Sequence, residues 1–132
     1  MNQVTLVGRL AYFDRKRTST GRLYLTGKLV TRDSGQREPG GPDTEWDEWH
    51  RYVVWGTTAE QMASDDPGRG SIVRLTGRFE TRTFDGDQGP VTLHQVSVRE
   101  YEILNRVPGR GPEPEPPPGA VDHVQRWMAA KR

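Results

Sequence analysis

Polar and apolar residues alternate in five segments of the chain. A period of two is typical of β-strands that bury one face, because successive side chains of a strand point to opposite sides. The five alternating segments are residues 4–12, 23–32, 48–56, 73–84 and 91–104. We therefore predict five strands.

The third segment places two tryptophans and an arginine on one of its faces. Trp49, Arg51 and Trp55 point to one side, whereas His50 and Tyr52 point to the other. Flat indole rings on either side of a positive charge are suited to holding unpaired bases. Aromatic residues are also common in strands for packing alone, so this segment by itself leaves both interpretations open.

A short helix is predicted between the third and fourth strands. Thr57 and Glu60 have the spacing of a capping box, in which both side chains bond to free backbone amides of a first helical turn. We expect the helix to end near Asp65, because a proline follows shortly afterwards. Glycine, proline and charged residues predict turns or loops at 15–21, 33–44 and 85–89.

Five strands with a helix between the third and the fourth form the layout of the OB-fold, a small all-β Greek-key barrel. A barrel of this size fills its interior with side chains. The face of the fourth strand that carries Val73, Leu75 and Phe79 is therefore predicted to lie inside. Its opposite face, from Arg74 to Phe84, is predicted to lie outside and to repeat the combination of basic and aromatic residues.

Composition divides the chain into three parts. Residues 1–106 are predicted to form the OB-fold domain. Residues 107–119 are rich in glycine and in proline, which lacks the backbone N–H that pairing in a sheet requires, and are predicted to form an extended linker. Apolar residues at helical spacing in 120–132 predict a short amphipathic helix, which needs a surface to dock on because a helix of this length is marginal alone.

Charge and composition narrow the classes of function. Among 132 residues, 19 Lys and Arg stand against 18 Asp and Glu, so nucleic-acid binding would depend on local placement of charge. The absence of cysteine excludes disulfides, thiolate zinc sites and cysteine nucleophiles. The N-terminal residues have no features of a secretory signal and no apolar run is long enough to cross a bilayer, so we expect a cytoplasmic protein without membrane contact.

No pattern of residues predicts a metal site, a cofactor or catalysis. The acidic turn 85–89 lacks the third acidic position and the distal glutamate of a calcium loop. Asp43, Glu45, Asp47 and Glu48 form the kind of carboxylate cluster that a metal-dependent nuclease needs, but they lie in or beside a predicted loop, where solvation explains them. We therefore predict a binding protein rather than an enzyme.

Several segments, taken in order, resemble the bacterial single-stranded DNA-binding protein family. The matching segments are 2–10, 48–56, 59–60, 70–71 and 77–84. The resemblance extends over residues 2–105. It implies an OB-fold that forms homotetramers, with a dimer as the alternative. It also implies nucleoid-associated binding of single-stranded DNA without strong sequence preference, which protects the strand during replication, recombination or repair.

The resemblance also implies roles for individual residues. Trp49 and Trp55 match the base-stacking aromatic residues of the family's third strand, and Phe84 matches the one on its fourth strand. Arg51 and Arg82 match positions that contact phosphate.

The same resemblance implies roles for three further residues and leaves one aromatic position of the family unmatched. Lys16 and Arg69 match positions that are usually basic, and His50 matches a position near a subunit contact. Gly35 stands roughly where the family has a tryptophan after the second strand, and Trp46 is near enough to substitute for it.

The predicted DNA-binding set joins these residues with outward basic residues of the second and fourth strands. It comprises Lys16, Lys28, Arg32, Trp46, Trp49, Arg51, Trp55, Arg69, Arg74, Arg78, Arg82 and Phe84. Phosphate neutralisation releases counterions, so affinity should fall steeply with salt, while stacking adds about 1–3 kcal/mol per base.

A protein-interaction subunit with little DNA binding is the alternative function. The near-zero net charge favours it. The family usually ends in an acidic tip closed by apolar residues that recruits replication and repair enzymes, whereas this sequence ends in Lys131 and Arg132. We expect that means of recruitment to be absent.

Overall fold

The structure is a computed structural model that describes residues 1–109. Its elements, in chain order, are β1 (Val4–Arg17), β2 (Leu23–Gln36), β3 (Asp43–Trp55), α1 (Gly56–Asp65), β4 (Ile72–Gly86) and β5 (Gly89–Asn105). The strands close into a barrel in the order β1-β2-β3-β5-β4. The prediction of a five-stranded OB-fold barrel with a helix between the third and fourth strands is confirmed. Most of the predicted linker and the whole predicted C-terminal helix lie outside the described residues.

Aliphatic side chains from every strand fill the barrel, because the alternating pattern points one face of each strand inward. The fully buried side chains include Leu10, Leu25, Leu29, Val54, Val73, Leu75 and Val96. Ala59 and Met62 of α1 belong to the same cluster, which explains why the helix is amphipathic. Tyr52 is also fully buried, and a Cβ at Gly27 would lie only 2.6 Å from its hydroxyl oxygen. Glycine at position 27 therefore makes room for the largest side chain of the core.

Two of the predicted loops are shorter than the sequence suggested. β1 continues through the basic run to Arg17, which pairs with Leu23 of β2. β2 and β3 stay paired as far as Gln36 and Asp43, so that only residues 37–42 lie between the strands. The predictions for 15–17, 33–36 and 43–44 are wrong because backbone pairing with a neighbouring strand holds polar segments extended whatever their side chains.

The predicted capping box is also wrong, although the helix and its end are where the sequence placed them. The residue that caps α1 is Trp55, and no side chain bonds to the free amides of the first turn. The chain passes from β3 into the helix at Gly56, which puts Thr57 inside the first turn rather than before it. Thr58 instead donates its hydroxyl hydrogen to the Arg99 carbonyl oxygen, at 3.2 Å, and so joins the helix to β5.

Phe79 was predicted to lie inside the barrel, and this prediction is wrong. Its side chain is 51% exposed, whereas Val73 and Leu75 are buried as expected. The pairing of β1 with β4 ends at Gly77, so no strand pairs with that edge of β4 beside Phe79. Further along, β4 and β5 pair only with each other over most of their length, and we call residues 78–97 the β4–β5 arm.

A second two-stranded arm projects where β2 and β3 run beyond β1. The pairing of β1 with β2 begins at Arg9 and Val30, so residues 31–48 of β2, β3 and their connection form what we call the β2–β3 arm. OB-fold barrels commonly bind oligonucleotides on the face of their second and third strands and on adjacent loops. The two arms extend the surface on which such a ligand can lie.

Candidate nucleic-acid interface

Register decides which of the predicted residues share a surface, because paired residues lie side by side and every second residue of a strand points the same way. β1, β2 and β3 share an outer surface that we call the aromatic face. Its aromatic and cationic side chains are Tyr12, Lys16, Tyr24, Lys28, Trp49, Arg51 and Trp55. Trp49 and Trp55 are six residues apart on β3, which corresponds to about 20 Å along the strand.

Trp49 is the most accessible aromatic side chain of this face. It is 56% exposed and lies beside Val30 of β2, so the indole has a flat surface open to solvent. An exposed indole ring can stack on an unpaired base. The predicted stacking residue is therefore well placed to meet a base.

Trp55 lies at the other end of the face and already has neighbours. Its ring stacks on Tyr24, with 4.5 Å between ring centres and 20° between planes. The Arg22 guanidinium carbon lies 4.9 Å from the centre of the indole. The sequence analysis did not single out Tyr24 or Arg22, although an aromatic residue at an outward position of the second strand was a signal that could have identified Tyr24.

Two cations occupy the middle of the aromatic face. Lys28 lies between Tyr12 of β1 and Arg51 of β3 in the register. Lys28 is buried, whereas Arg51 is half-buried, so Arg51 is the more accessible charge. Burial lowers the pKa of Arg51 and raises the pKa of Tyr12 to about 12, to which the nearby Asp14 carboxylate contributes. Tyr12 is therefore a neutral hydrogen-bond donor at physiological pH.

The β4–β5 arm carries three residues that were predicted to contact DNA, namely Arg78, Arg82 and Phe84. Ser97 of β5 lies beside both Val53 of β3 and Arg78 of β4, so the outer surface of β3 continues onto this arm. Arg82 is exposed and Phe84 is half-buried on the same side of β4 as Arg78. The structure thus brings these three residues onto a surface continuous with the aromatic face.

Arg32 and Arg74 are engaged by carboxylates instead. Arg32 stands on the β2–β3 arm and forms an ion pair of 2.8 Å with Glu45. Arg74 forms an ion pair with Glu102 and lies beside Val7, where the first half of β1 pairs with β4. Arg74 is therefore on a different side of the barrel from the aromatic face.

Trp46 lies on the β2–β3 arm but on the opposite face of β3 from Trp49, because the two residues are three positions apart and side chains alternate along a strand. Its indole nitrogen donates a hydrogen bond of 2.8 Å to Glu48, and the Arg37 guanidinium lies 4.8 Å from its ring centre. Arg69 is exposed in the connection between α1 and β4. The structure does not place Trp46 with the other tryptophans.

His50 also points to the inner side of β3. Its Nε2 and the Thr31 hydroxyl lie 2.7 Å apart in a hydrogen bond between β3 and β2. The side chain is half-buried. This contact gives His50 a structural role within the chain, beside the subunit contact that was predicted for it.

Charge is distributed unevenly at the two ends of the aromatic face. Residues 31–48, the β2–β3 arm, contain six carboxylates and two arginines. Residues 15–22, which end β1 and lead into β2, contain four basic residues and no carboxylate. The carboxylates of the β2–β3 arm repel a polyanion beyond the Trp49 end of the face, and the basic residues attract it at the Trp55 end.

Neither a metal centre nor a membrane-spanning helix is found in residues 1–109. No three His, Cys, Asp or Glu side chains in that range are arranged to hold a metal ion. None of its helices is long and apolar enough to span a bilayer.

Stability should decline in alkaline solution because of three tyrosines. Burial raises the pKa of Tyr12, Tyr52 and Tyr101 above the ordinary value of 10.0. Above pH 10 the unfolded chain releases these protons while the folded chain retains them, so the free energy of unfolding falls as pH rises. Urea denaturation from pH 8 to pH 11 measures the decline. The Tyr52→Phe variant should show a shallower decline, and an equal decline would contradict burial of Tyr52 as its cause.

Comparison with known proteins finds similar sequences. The model of the Single-strand binding protein family matches residues 1–104. The single-stranded DNA-binding protein 1 of Chlorobaculum tepidum is 33% identical over 89 residues, which are 67% of this chain and 54% of the relative. The protein of the same name from Streptococcus pyogenes is 24% identical over 132 residues, with 89% of this chain and 98% of the relative covered. The chain thus spans about half the length of the first of these relatives.

Two solved structures are similar to the barrel. The single-stranded DNA-binding protein from Thermus aquaticus, in a deletion mutant, superposes with a TM-score of 0.67 at 28% identity, covering 84% of this chain and 52% of that one. The Plasmodium falciparum SSB complex with ssDNA superposes with a TM-score of 0.68 at 20% identity, covering 81% and 96%. At that identity the second likeness supports the fold alone.

Proposed function

This chain belongs to the single-strand binding protein family, and from that premise we propose that it binds single-stranded DNA with little sequence preference and without catalysis. The observation that carries the proposal is the exposed indole of Trp49 on the same face as Arg51. Protection of unpaired strands during replication, recombination or repair is the role that such binding serves.

Stacking and phosphate neutralisation supply the binding free energy. Trp49, Trp55 and Phe84 offer rings to bases, at about 1–3 kcal/mol per stacked base, and tolerate any sequence because every base has a flat face. Arg51 and Arg82 neutralise phosphates and release counterions. A duplex gains little binding free energy on this surface, since its bases are already stacked on one another.

Arg78 belongs to the proposed site because it can bind a phosphate in place of the Glu80 carboxylate. Its ion pair with Glu80 is 3.6 Å long and its side chain is 64% exposed. Exposed ion pairs contribute only about 0–1 kcal/mol, so a phosphate competes readily with the Glu80 carboxylate. Arg69, Arg74 and Trp46 are left out of the proposed site because of their positions in the fold. Arg32 is left out because its ion pair of 2.8 Å with Glu45 stands among the carboxylates of the β2–β3 arm, and Lys28 is a buried part of the aromatic face.

We also propose self-association, as a tetramer or, alternatively, a dimer, with His50 as the predicted contact. Val7 and Leu104 are 51% and 47% exposed on strands that flank β4. Exposed aliphatic side chains of this size gain free energy when a second subunit removes them from water. Val7 and Leu104 lie away from the aromatic face, so a contact through them leaves that face open to DNA.

A fluorescence-quenching titration with oligothymidine at two salt concentrations tests the function. We expect quenching by the single strand, weaker quenching by a duplex of equal length, and an affinity that falls with salt. Each phosphate contact should contribute a slope of about −0.7 in a plot of log affinity against log salt. Absence of quenching at low salt would overturn DNA binding and favour the protein-interaction alternative. Light scattering of the same solutions reports the number of subunits.

A further inference from the structure

Residues 15–22, which end β1 and lead into β2, carry four basic side chains at the Trp55 end of the aromatic face. Two of these four cations serve the fold: Arg15 forms an ion pair of 3.1 Å with Asp66, and Arg17 donates to the Gly21 carbonyl oxygen at 2.9 Å. Lys16 and Arg22 form no ion pair with any carboxylate of residues 1–109. These two positive charges are therefore available to a ligand.

The same two residues border a prearranged aromatic pair. In the register, Tyr24 of β2 lies between Lys16 of β1 and Trp55 of β3. The stacked rings of Tyr24 and Trp55, 4.5 Å apart, restrict rotation of the indole, which a lone side chain at the end of a strand would retain. Arg22 extends this arrangement, with its guanidinium over the indole ring. One cation thus lies over the indole and a second lies beside Tyr24, next to a ring whose plane is already set.

We propose that Lys16, Arg22, Tyr24 and Trp55 form a nucleotide subsite through which the bound strand leaves the aromatic face across the connection between β1 and β2. This inference rests on the proposed DNA binding. Tyr24 is a positioning residue that holds the indole for the base, while Arg22 and Lys16 bind the adjoining phosphates. Arg22 turns from the indole to a phosphate when a base arrives. The other exit, over the β2–β3 arm, would bring phosphates to six carboxylates and two arginines, one of which, Arg32, is already paired with Glu45.

The β2–β3 arm supplies a matched control for Arg22. Arg37 lies over the ring of Trp46 at 4.8 Å, nearly the same arrangement as Arg22 over Trp55 at 4.9 Å, but among carboxylates. Titration of the full chain with oligothymidine over a range of salt should show that Arg22→Gln weakens binding and makes the salt slope shallower by about 0.7. Lys16→Gln should act in the same direction. Arg37→Gln should leave the slope unchanged, because phosphates do not pass over that arm.

Tyr24 is tested by a different readout. Tyr24→Leu should lower the affinity about tenfold without changing the salt slope, since it removes the support of a stacking residue and no charge. Tyr24→Phe, which keeps the ring, should bind within about twofold of the original chain. If Tyr24→Phe binds as weakly as Tyr24→Leu, the positioning role is refuted.

Two outcomes separate the subsite from the proposed function. If Trp49→Ala weakens binding but Arg22→Gln binds with the affinity and slope of the original chain, the subsite is refuted and DNA binding stands. An effect of Arg37→Gln equal to that of Arg22→Gln would refute the proposed exit in the same way. If the original chain itself does not bind oligothymidine, the proposed function fails, and the subsite fails with it.

Discussion

Replacement of both Trp49 and Trp55 with alanine should lower the affinity for oligothymidine by about 30-fold or more. Each indole stacks one base in the proposed complex, and the loss of two stacks costs about 2 kcal/mol at the lower limit of measured values. Since 1.36 kcal/mol corresponds to a factor of ten, this is about a 30-fold weakening. Anisotropy of a labelled oligothymidine is the suitable measurement, because the variant has lost two of its own fluorophores.

Phe79 provides the control for this double variant. It is 51% exposed, close to the 56% of Trp49, but it points to the opposite side of β4 from Arg78. Phe79→Ala should therefore bind within about twofold of the original chain. Unchanged affinity of the double variant would refute stacking on the aromatic face. An equal loss in Phe79→Ala would show that exposed aromatic residues contribute wherever they lie.

Tyr52→Ala should lower the free energy of unfolding by about 3–5 kcal/mol, the range measured when large aromatic side chains are removed from a core. Tyr52 is fully buried among aliphatic residues, and its hydroxyl donates to the Tyr12 carbonyl oxygen at 3.3 Å. Small domains have a total stability of about 5–15 kcal/mol, so this single change removes a large part of it. Urea denaturation followed by circular dichroism measures the loss.

Two milder variants serve as controls for the loss of stability in Tyr52→Ala. Tyr52→Phe removes only the hydroxyl group and should cost about 1 kcal/mol. Phe79→Ala removes an exposed ring and should change the free energy of unfolding by less than about 1 kcal/mol. A loss in Tyr52→Ala no greater than that in Phe79→Ala would contradict the central position of Tyr52 in the core.

The loops show where prediction from side-chain patterns stops. The polar residues 33–36 and 43–44 belong to long paired strands, although their composition is that of a loop. Trp46 consequently has a defined face, opposite to that of Trp49, although the alternation of residues had assigned it to no strand. Strand pairing is a contact between distant parts of the chain, and composition does not report it.

The exposure of Phe79 and the neighbours of Trp55 were also beyond prediction from side-chain patterns. The alternation that buries Leu75 continues to Phe79, yet Phe79 is exposed because β1 stops pairing at Gly77. Trp55 was predicted as an open stacking residue, but only the register of β2 with β3 reveals that Tyr24 and Arg22 adjoin its ring. Both facts depend on where a neighbouring strand begins or ends.

By itself the sequence determined the five strands, the helix between the third and the fourth, and the common face of Trp49, Arg51 and Trp55. These follow from local periodicity, because the geometry of a strand sends every second side chain to the same side. Tertiary structure alone decided that Arg74 lies on another side of the barrel, that Trp46 faces away, and that the aromatic face runs from an acidic arm to a basic connection. Those features depend on strand register and barrel closure, which join residues far apart in the chain.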